Sequence, residues 1–168
     1  MNWAIEESTA EQPATAAGRV LGIDLGSRRI GVAVSDDSRR VASALTVVNR
    51  GESHVDDHGQ LADVIVETGA ALVVVGLPLS LSGGAGPAAR AVLDEVSEMR
   101  ELLEVPVECC DERYSTVIAR RALAAGGRRP AAHRAVVDKV AAAAILQTWL
   151  DRQREWPWPQ AGPAASSQ

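Results

Sequence analysis

Acidic residues stand at three points where the residue pattern of this chain changes. Asp24 follows the apolar run Val20-Leu-Gly-Ile23 and precedes Gly26. Asp111 and Glu112 follow Val105-Pro-Val-Glu-Cys-Cys110. Asp138 is the lone acid in Ala135-Val-Val-Asp-Lys-Val-Ala-Ala-Ala-Ala-Ile-Leu146. Carboxylates drawn from distant parts of a chain and gathered on one patch suit phosphodiester hydrolysis by two metals. They hold two Mg²⁺ or Mn²⁺ ions about 3.5–4 Å apart, one near the attacking water and one near the leaving oxygen. Such hard cations keep several waters and take few protein ligands, so three acids suffice.

Each acid also has an ordinary structural role open to it. Asp24 can order a turn before Ser27. Asp111 can cap a following helix or pair with Arg113, and Asp138 can complement a helix dipole. Period two sends Asp111 and Glu112 to opposite faces, so only one faces a shared centre. The pairing role goes to Asp111 and the metal role to Glu112. The spacing of Asp138 with Ala141, Ala142 and Ile145 turns it inward, where a carboxylate needs a cation or hydrogen bonds. The expected catalytic and metal-binding set is therefore Asp24, Glu112 and Asp138.

Other candidates carry less. His54 and His58 stand four apart, the spacing of a metal pair on a helix, but a solvated helix start explains them as well. Ser82-Gly-Gly-Ala-Gly86 lacks the Lys and Ser/Thr of a P-loop and reads as a loop beside the site, near Pro78. Gly126 to Pro130, with Arg128 and Arg129, reads as a second, basic loop. Cys109 and Cys110 read as core thiols, with an intermolecular disulfide as the redox alternative.

The elements that must position the acids follow from the apolar pattern. Strands are expected over 19–24, 30–35 and 41–48, joined by short turns and so antiparallel. A helix is expected over 54–68, stopped by Gly69. Leu72-Val-Val-Val-Gly76 shows no alternation, as in a strand buried on both faces. A helix over 87–103 opens on Pro87, and a fifth strand spans 105–110. Helices over 115–125 and 135–151 complete the chain. Three antiparallel strands followed by two that alternate with helices give an α/β protein with a mixed five-stranded sheet flanked by helices, the layout of the RNase H-like fold.

The 168 residues suit one domain, expected over 18–151. Residues 1–17 and 152–168 read as tails. The absence of Phe demands an aliphatic core. No apolar run reaches membrane-spanning length, and the first residues lack a signal pattern, so the expected location is the cytoplasm. The net charge of −5 argues against nucleic acid. Its distribution does not: from Arg113 to Lys139, seven cations face Asp138 alone, a net of +6. A basic block beside acidic chemistry fits a phosphodiester enzyme.

Four blocks now resemble a known family. They are Gly22-Ile-Asp-Leu-Gly-Ser-Arg-Arg-Ile-Gly-Val-Ala-Val-Ser-Asp36, Val74-Val-Gly-Leu-Pro78 with its Gly-rich loop, Asp111-Glu-Arg-Tyr-Ser-Thr116, and Asp138 with its Ala-rich helix. In this order they resemble the YqgF/RuvX family of Holliday junction resolvases, also described as pre-16S rRNA maturation nucleases. The resemblance covers Arg19 to about Leu150. It implies a metal-dependent endonuclease acting on branched DNA or on precursor rRNA, with the acids at Asp24, Glu112 and Asp138 supported by Arg113 and Thr116. Arg28, Arg128, Arg129 and Arg134 are the expected phosphate contacts. Symmetric junction cleavage would need two active sites, hence a homodimer.

Two other classes remain to be separated. Ile23-Asp-Leu-Gly26 is similar to the first phosphate loop of actin-like ATPases, but those proteins need two such lobes and this length suits one. A non-catalytic RNA-, ribosome- or polymerase-binding module would use the basic block and has no need of converging acids. Replacing Arg128 and Arg129 by Ala is expected to weaken nucleic-acid binding and to flatten its salt dependence. The log–log slope should fall by about one unit for each phosphate that is no longer neutralised. A titration over a range of salt concentrations checks this, and an unchanged slope removes the loop from the binding surface.

Overall fold

The structure is a computed structural model that describes residues 18–80, 82–114 and 131–155. The elements run β1 (Arg19–Leu25), β2 (Arg29–Ser35), β3 (Ala42–Asn49), α1 (His54–Thr68), β4 (Ala70–Leu77), α2 (Pro87–Leu102), β5 (Val107–Asp111), a 3-10 turn (Glu112–Tyr114) and α3 (Ala131–Glu155). The sheet order is β3-β2-β1-β4-β5. β1 pairs antiparallel with β2, and β2 with β3, while β4 lies parallel to β1 and β5 parallel to β4. This is the mixed RNase H-like sheet expected from the strand pattern. The expected helix over 115–125 and both expected tails lie outside the described residues, apart from 152–155.

The local signals place the helix ends. Ser53 caps α1 by accepting the Asp56 backbone N–H, and Gly69 closes it in the left-handed region at φ 65°. Pro87 opens α2. β5 starts at Val107 rather than 105 because Pro106 offers no N–H, and its carbonyl accepts from Val73 instead. α3 begins four residues earlier than expected, directly after Pro130. It runs to Glu155, past the expected boundary at 151, because no breaker precedes Pro157.

The sheet is covered on both faces. On one, Leu21, Ile23, Val32, Val73 and Val75 pack against Leu61 and Ile65 of α1 and Val92, Val96 and Met99 of α2. On the other, Val20, Ala33, Val74 and Cys110 pack against Ala141, Ala142, Ile145, Leu146 and Leu150 of α3. β1 and β4 are therefore buried on both sides, which is why neither run alternates. The core is aliphatic, as the absence of Phe requires.

α3 reaches the sheet through gaps left by glycines. A Cβ on Gly22 would overlap Leu146, and one on Gly31 would overlap the backbone carbonyl of Asp138. Gly31→Ala should therefore push α3 off the sheet and cost about 1–3 kcal/mol, the range for overpacking a tight core. Gly59→Ala, inside α1 with no atom near the added methyl, should gain about 0.5–1 kcal/mol. Urea unfolding of the two variants checks both signs. Equal stabilities would mean that α3 is not held as closely as described.

Candidate active site at the carboxyl end of the central strands

Asp24 is the next-to-last residue of β1 and is buried at 5% exposure. Alternation puts Val20, Gly22 and Asp24 on one face, and Gly22 meets α3, so Asp24 lies on the α3 face. Its partner across β2 is Gly31. On the other side, Ile23 pairs with Val75, which brings Gly76 of β4 level with Asp24. Each flanking glycine makes room for another of the expected acids. Gly31 abuts the Asp138 backbone, and a Cβ on Gly76 would overlap the Glu112 carboxylate. Asp24, Glu112 and Asp138 thus lie at one end of the sheet on one face, the last two on either side of the first.

Their environments differ. Glu112, at 1% exposure, opens the 3-10 turn after β5. Burial, with the charge of Asp111 beside it, pushes its carboxyl up to about 7. Asp111 is held the opposite way. It accepts the backbone N–H of Arg113 at 2.9 Å and the Nη2 of Arg113 at 2.6 Å, and that pairing holds its carboxyl below the usual range. The division expected from alternation, with Asp111 paired to Arg113 and Glu112 inward, is the one observed.

Asp138 is half-buried, its side chain 30% exposed, and its Oδ2 accepts from Arg29 Nε at 2.7 Å. Arg29 was not among the expected site residues. Its signal is periodicity: Arg29, Gly31 and Ala33 alternate onto the α3 face, where Gly31 touches Asp138. Among the described residues, no three His, Cys, Asp or Glu side chains form a ready-made metal cluster. The acids share a face and a strand end, and Asp138 is engaged by Arg29.

The surrounding candidates fall into three groups. Arg28 and Arg134 are exposed. Arg113 is engaged by Asp111 and borders Gly83 of the Gly-rich loop, where a Cβ would lie 3.0 Å from its Nη1, so that loop lies beside the Asp111–Arg113 pair. Thr116, Arg128 and Arg129 lie outside the described residues.

The two histidines lie away from the acidic patch: His54 stands at the exposed start of α1, as expected, while His58 is buried. His58 is 1% exposed, with Nε2 3.1 Å from Glu95 Oε1, and His54 Nδ1 lies 2.7 Å from Glu98. Both are engaged by α2 carboxylates on the opposite face of the sheet. The cysteines are free, and burial raises both thiols, Cys110 to about 11, so neither is an activated thiolate.

Comparison with known proteins agrees with this architecture. A family model described as "RuvX: Holliday junction resolvase" matches residues 18–152. A relative from Mycobacterium sp. (strain KMS) is 44% identical over 138 residues, 82% of each chain. One from Roseiflexus sp. (strain RS-1) is 42% identical over 137 residues, 82% of this chain and 96% of its own. Both carry pre-16S rRNA nuclease in their names. T. thermophilus RuvC, solved in complex with Holliday junction substrate, is 20% identical and aligns with 82% of this chain and 96% of its own, at a TM-score of 0.45. With the family model spanning the whole sheet and its flanking helices, this chain belongs to the RuvX family of nucleases.

Proposed function

We propose that this protein is a divalent-metal-dependent endonuclease that hydrolyses phosphodiester bonds in structured nucleic acid, with Asp24, Glu112 and Asp138 as its working carboxylates. The observation that carries the proposal is the burial of Asp24 and Glu112 on one face at one strand end, with Asp138 beside them. Burying carboxylates together is costly without a cation. The donor set is all oxygen, which suits Mg²⁺ or Mn²⁺. A pure binding module gains nothing from this burial.

Asp24, Glu112 and Asp138 would hold the metal, probed as Mg²⁺ or Mn²⁺. When bound, it would activate the attacking water and stabilise charge on the leaving oxygen. The chain's own groups do the rest. Arg29 keeps Asp138 turned to the sheet through its bond to Oδ2. Asp111 neutralises Arg113 next to Glu112. Exposed Arg28 and Arg134 offer cations to backbone phosphates.

The names carried by the relatives favour the precursor end of 16S rRNA as substrate, while the description of the family model favours the four-way DNA junction. rRNA processing would place the protein in the cytoplasm. Among the described residues, no helix is long and apolar enough to cross a membrane. Side-by-side cleavage of a precursor rRNA end and a four-way junction separates the substrates, with chelation stopping either reaction. Asp24→Asn should abolish cleavage, by more than about 10³-fold, while retaining binding. Normal cleavage by Asp24→Asn would place the chemistry elsewhere.

Glu112 gives a second test. Its folded-state value of about 7 lies above its ordinary 4.5, so the metal-free fold binds a proton that the unfolded chain gives up. The associated stability is present below about pH 4.5 and is lost as pH rises through about 7. In chelator, the melting temperature should fall across that window, and Mg²⁺ or Mn²⁺ should restore it above pH 7. Glu112→Gln should remove both the decline and the metal response. An identical pH profile in Glu112→Gln would show that another group titrates.

A further inference from the structure

On the face opposite the acids, Arg50 lies just past β3 and stands at the centre of a buried polar cluster. Its guanidinium forks onto Glu95 of α2, with Nη1 2.5 Å from Oε1 and Nη2 2.9 Å from Oε2. Nη1 also lies 3.2 Å from Asp57 Oδ2 of α1. Asp57 accepts the Gly51 backbone N–H at 2.7 Å, and His58 meets Glu95 from the other side. Asp57, His58 and Glu95 are all buried. Groups this enclosed, each with partners from another element, have one arrangement open to them.

Two donors of Arg50 point out of the cluster. Arg50 Nε donates to the Gly26 carbonyl at 3.0 Å, and the Arg50 backbone N–H donates to the Arg28 carbonyl at 3.0 Å. Gly26, Ser27 and Arg28 form the turn between β1 and β2. That turn starts two residues after Asp24 and delivers the chain to Arg29, which holds Asp138. Its other backbone bonds, from Gly26 N–H to the carbonyls of Asp24 and Arg29, are local to the hairpin. The Arg50 bonds are what tie the turn to the helices of the far layer.

We propose that Arg50 is a positioning residue for the acidic face: anchored by Glu95 and Asp57, it clamps the 26–28 turn and so fixes Asp24 and the Arg29–Asp138 pair relative to each other. This role rests on the active-site reading given under the proposed function. A guanidinium suits it because its planar fork serves Glu95 while Nε stays aimed at Gly26. An ammonium presents a single point of charge and cannot hold both in fixed register. Reacting groups tolerate little displacement, since a shift near 1 Å can cost about 100-fold in rate.

Two variants test the proposal. Arg50→Lys keeps a cation beside Glu95 and Asp57 but loses the fork and the bond to Gly26. Arg50→Met combined with Asp57→Asn and Glu95→Gln removes the buried charges together, so that no carboxylate is left unpaired. Both are assayed as the full chain with Mg²⁺, on whichever of the two substrates the wild type cuts, beside Asp24→Asn. The expected result is a fall in kcat of about 10- to 100-fold in each, with KM changed less than about threefold, at a temperature where melting curves show both fully folded. Folded variants with wild-type kcat, while Asp24→Asn is inactive, would overturn the role of Arg50 and leave the active site standing. Recovery of kcat in the triple variant but not in Arg50→Lys would reduce the cluster to a stability element, as would failure of both to fold. An active Asp24→Asn would overturn the active-site reading itself, and the clamp with it.

Discussion

The close approach of α3 to the sheet is the constraint on which the site depends. An α-helix over a sheet of ordinary side chains stands off by the length of those side chains. Here Gly22 and Gly31 remove them under Leu146 and under the carbonyl of Asp138, and Ala141 and Ala142 thin the helix side of the interface. Gly76 performs the same service for the Glu112 carboxylate and for Ile145. Lowering the helix encloses the strand end, and enclosure raises the free energy of any charge left there. The elevated carboxyl of Glu112 follows directly. The packing that brings Asp138 beside Asp24 is thus also the packing that encloses Glu112 and raises its carboxyl.

The two faces of the sheet handle buried charge in opposite ways. On the α1–α2 face, burial works against the charge of Glu95, but hydrogen bonds from Arg50 and His58 overcome it and hold the carboxyl below its usual value. Compensation there comes from within the chain, and the result is rigid. On the α3 face, Glu112 is raised because burial and Asp111 act in the same direction. Both faces meet at the β1–β2 turn. Arg29 leaves it toward Asp138, and Arg50 grips it from below. A turn held from both layers transmits the order of the charge-balanced cluster to the acidic one.

Local pattern made most of the architecture legible in the sequence. The unalternating runs of β1 and β4 announced central strands, Gly69 and Pro87 marked helix ends within a residue, and alternation separated Glu112 from Asp111. What escaped were pairings between residues far apart along the chain. Arg29 and Asp138 are 109 positions apart, and His58 and Glu95 are 37 apart. Nothing near His58 indicates that α2 will lower a carboxylate onto it, so it reads as solvated like the exposed His54 one turn earlier. Some of this was recoverable. Glycine inside a strand marks a close approach of backbone or ligand, and Gly22, Gly31 and Gly76 would have located both α3 and the Glu112 carboxylate. The supporting residues Thr116, Arg128 and Arg129 lie outside the described residues.

The partition of charge along the chain follows the same logic. A net charge of −5 spread evenly would repel phosphate. The segment from Arg113 to Lys139 instead concentrates cations immediately after β5 and into the start of α3, the two places from which Glu112 and Asp138 enter the site. Asp24 and Glu112 are enclosed, while the cations are concentrated in the chain that flanks Glu112 and Asp138 in sequence. Since the field at a substrate falls off within about 8–10 Å in physiological salt, the charges placed near the carboxylates weigh more on an approaching polyanion than the chain's overall sign does; among the described residues, Arg113 follows Glu112 directly and Arg134 and Lys139 flank Asp138 in sequence.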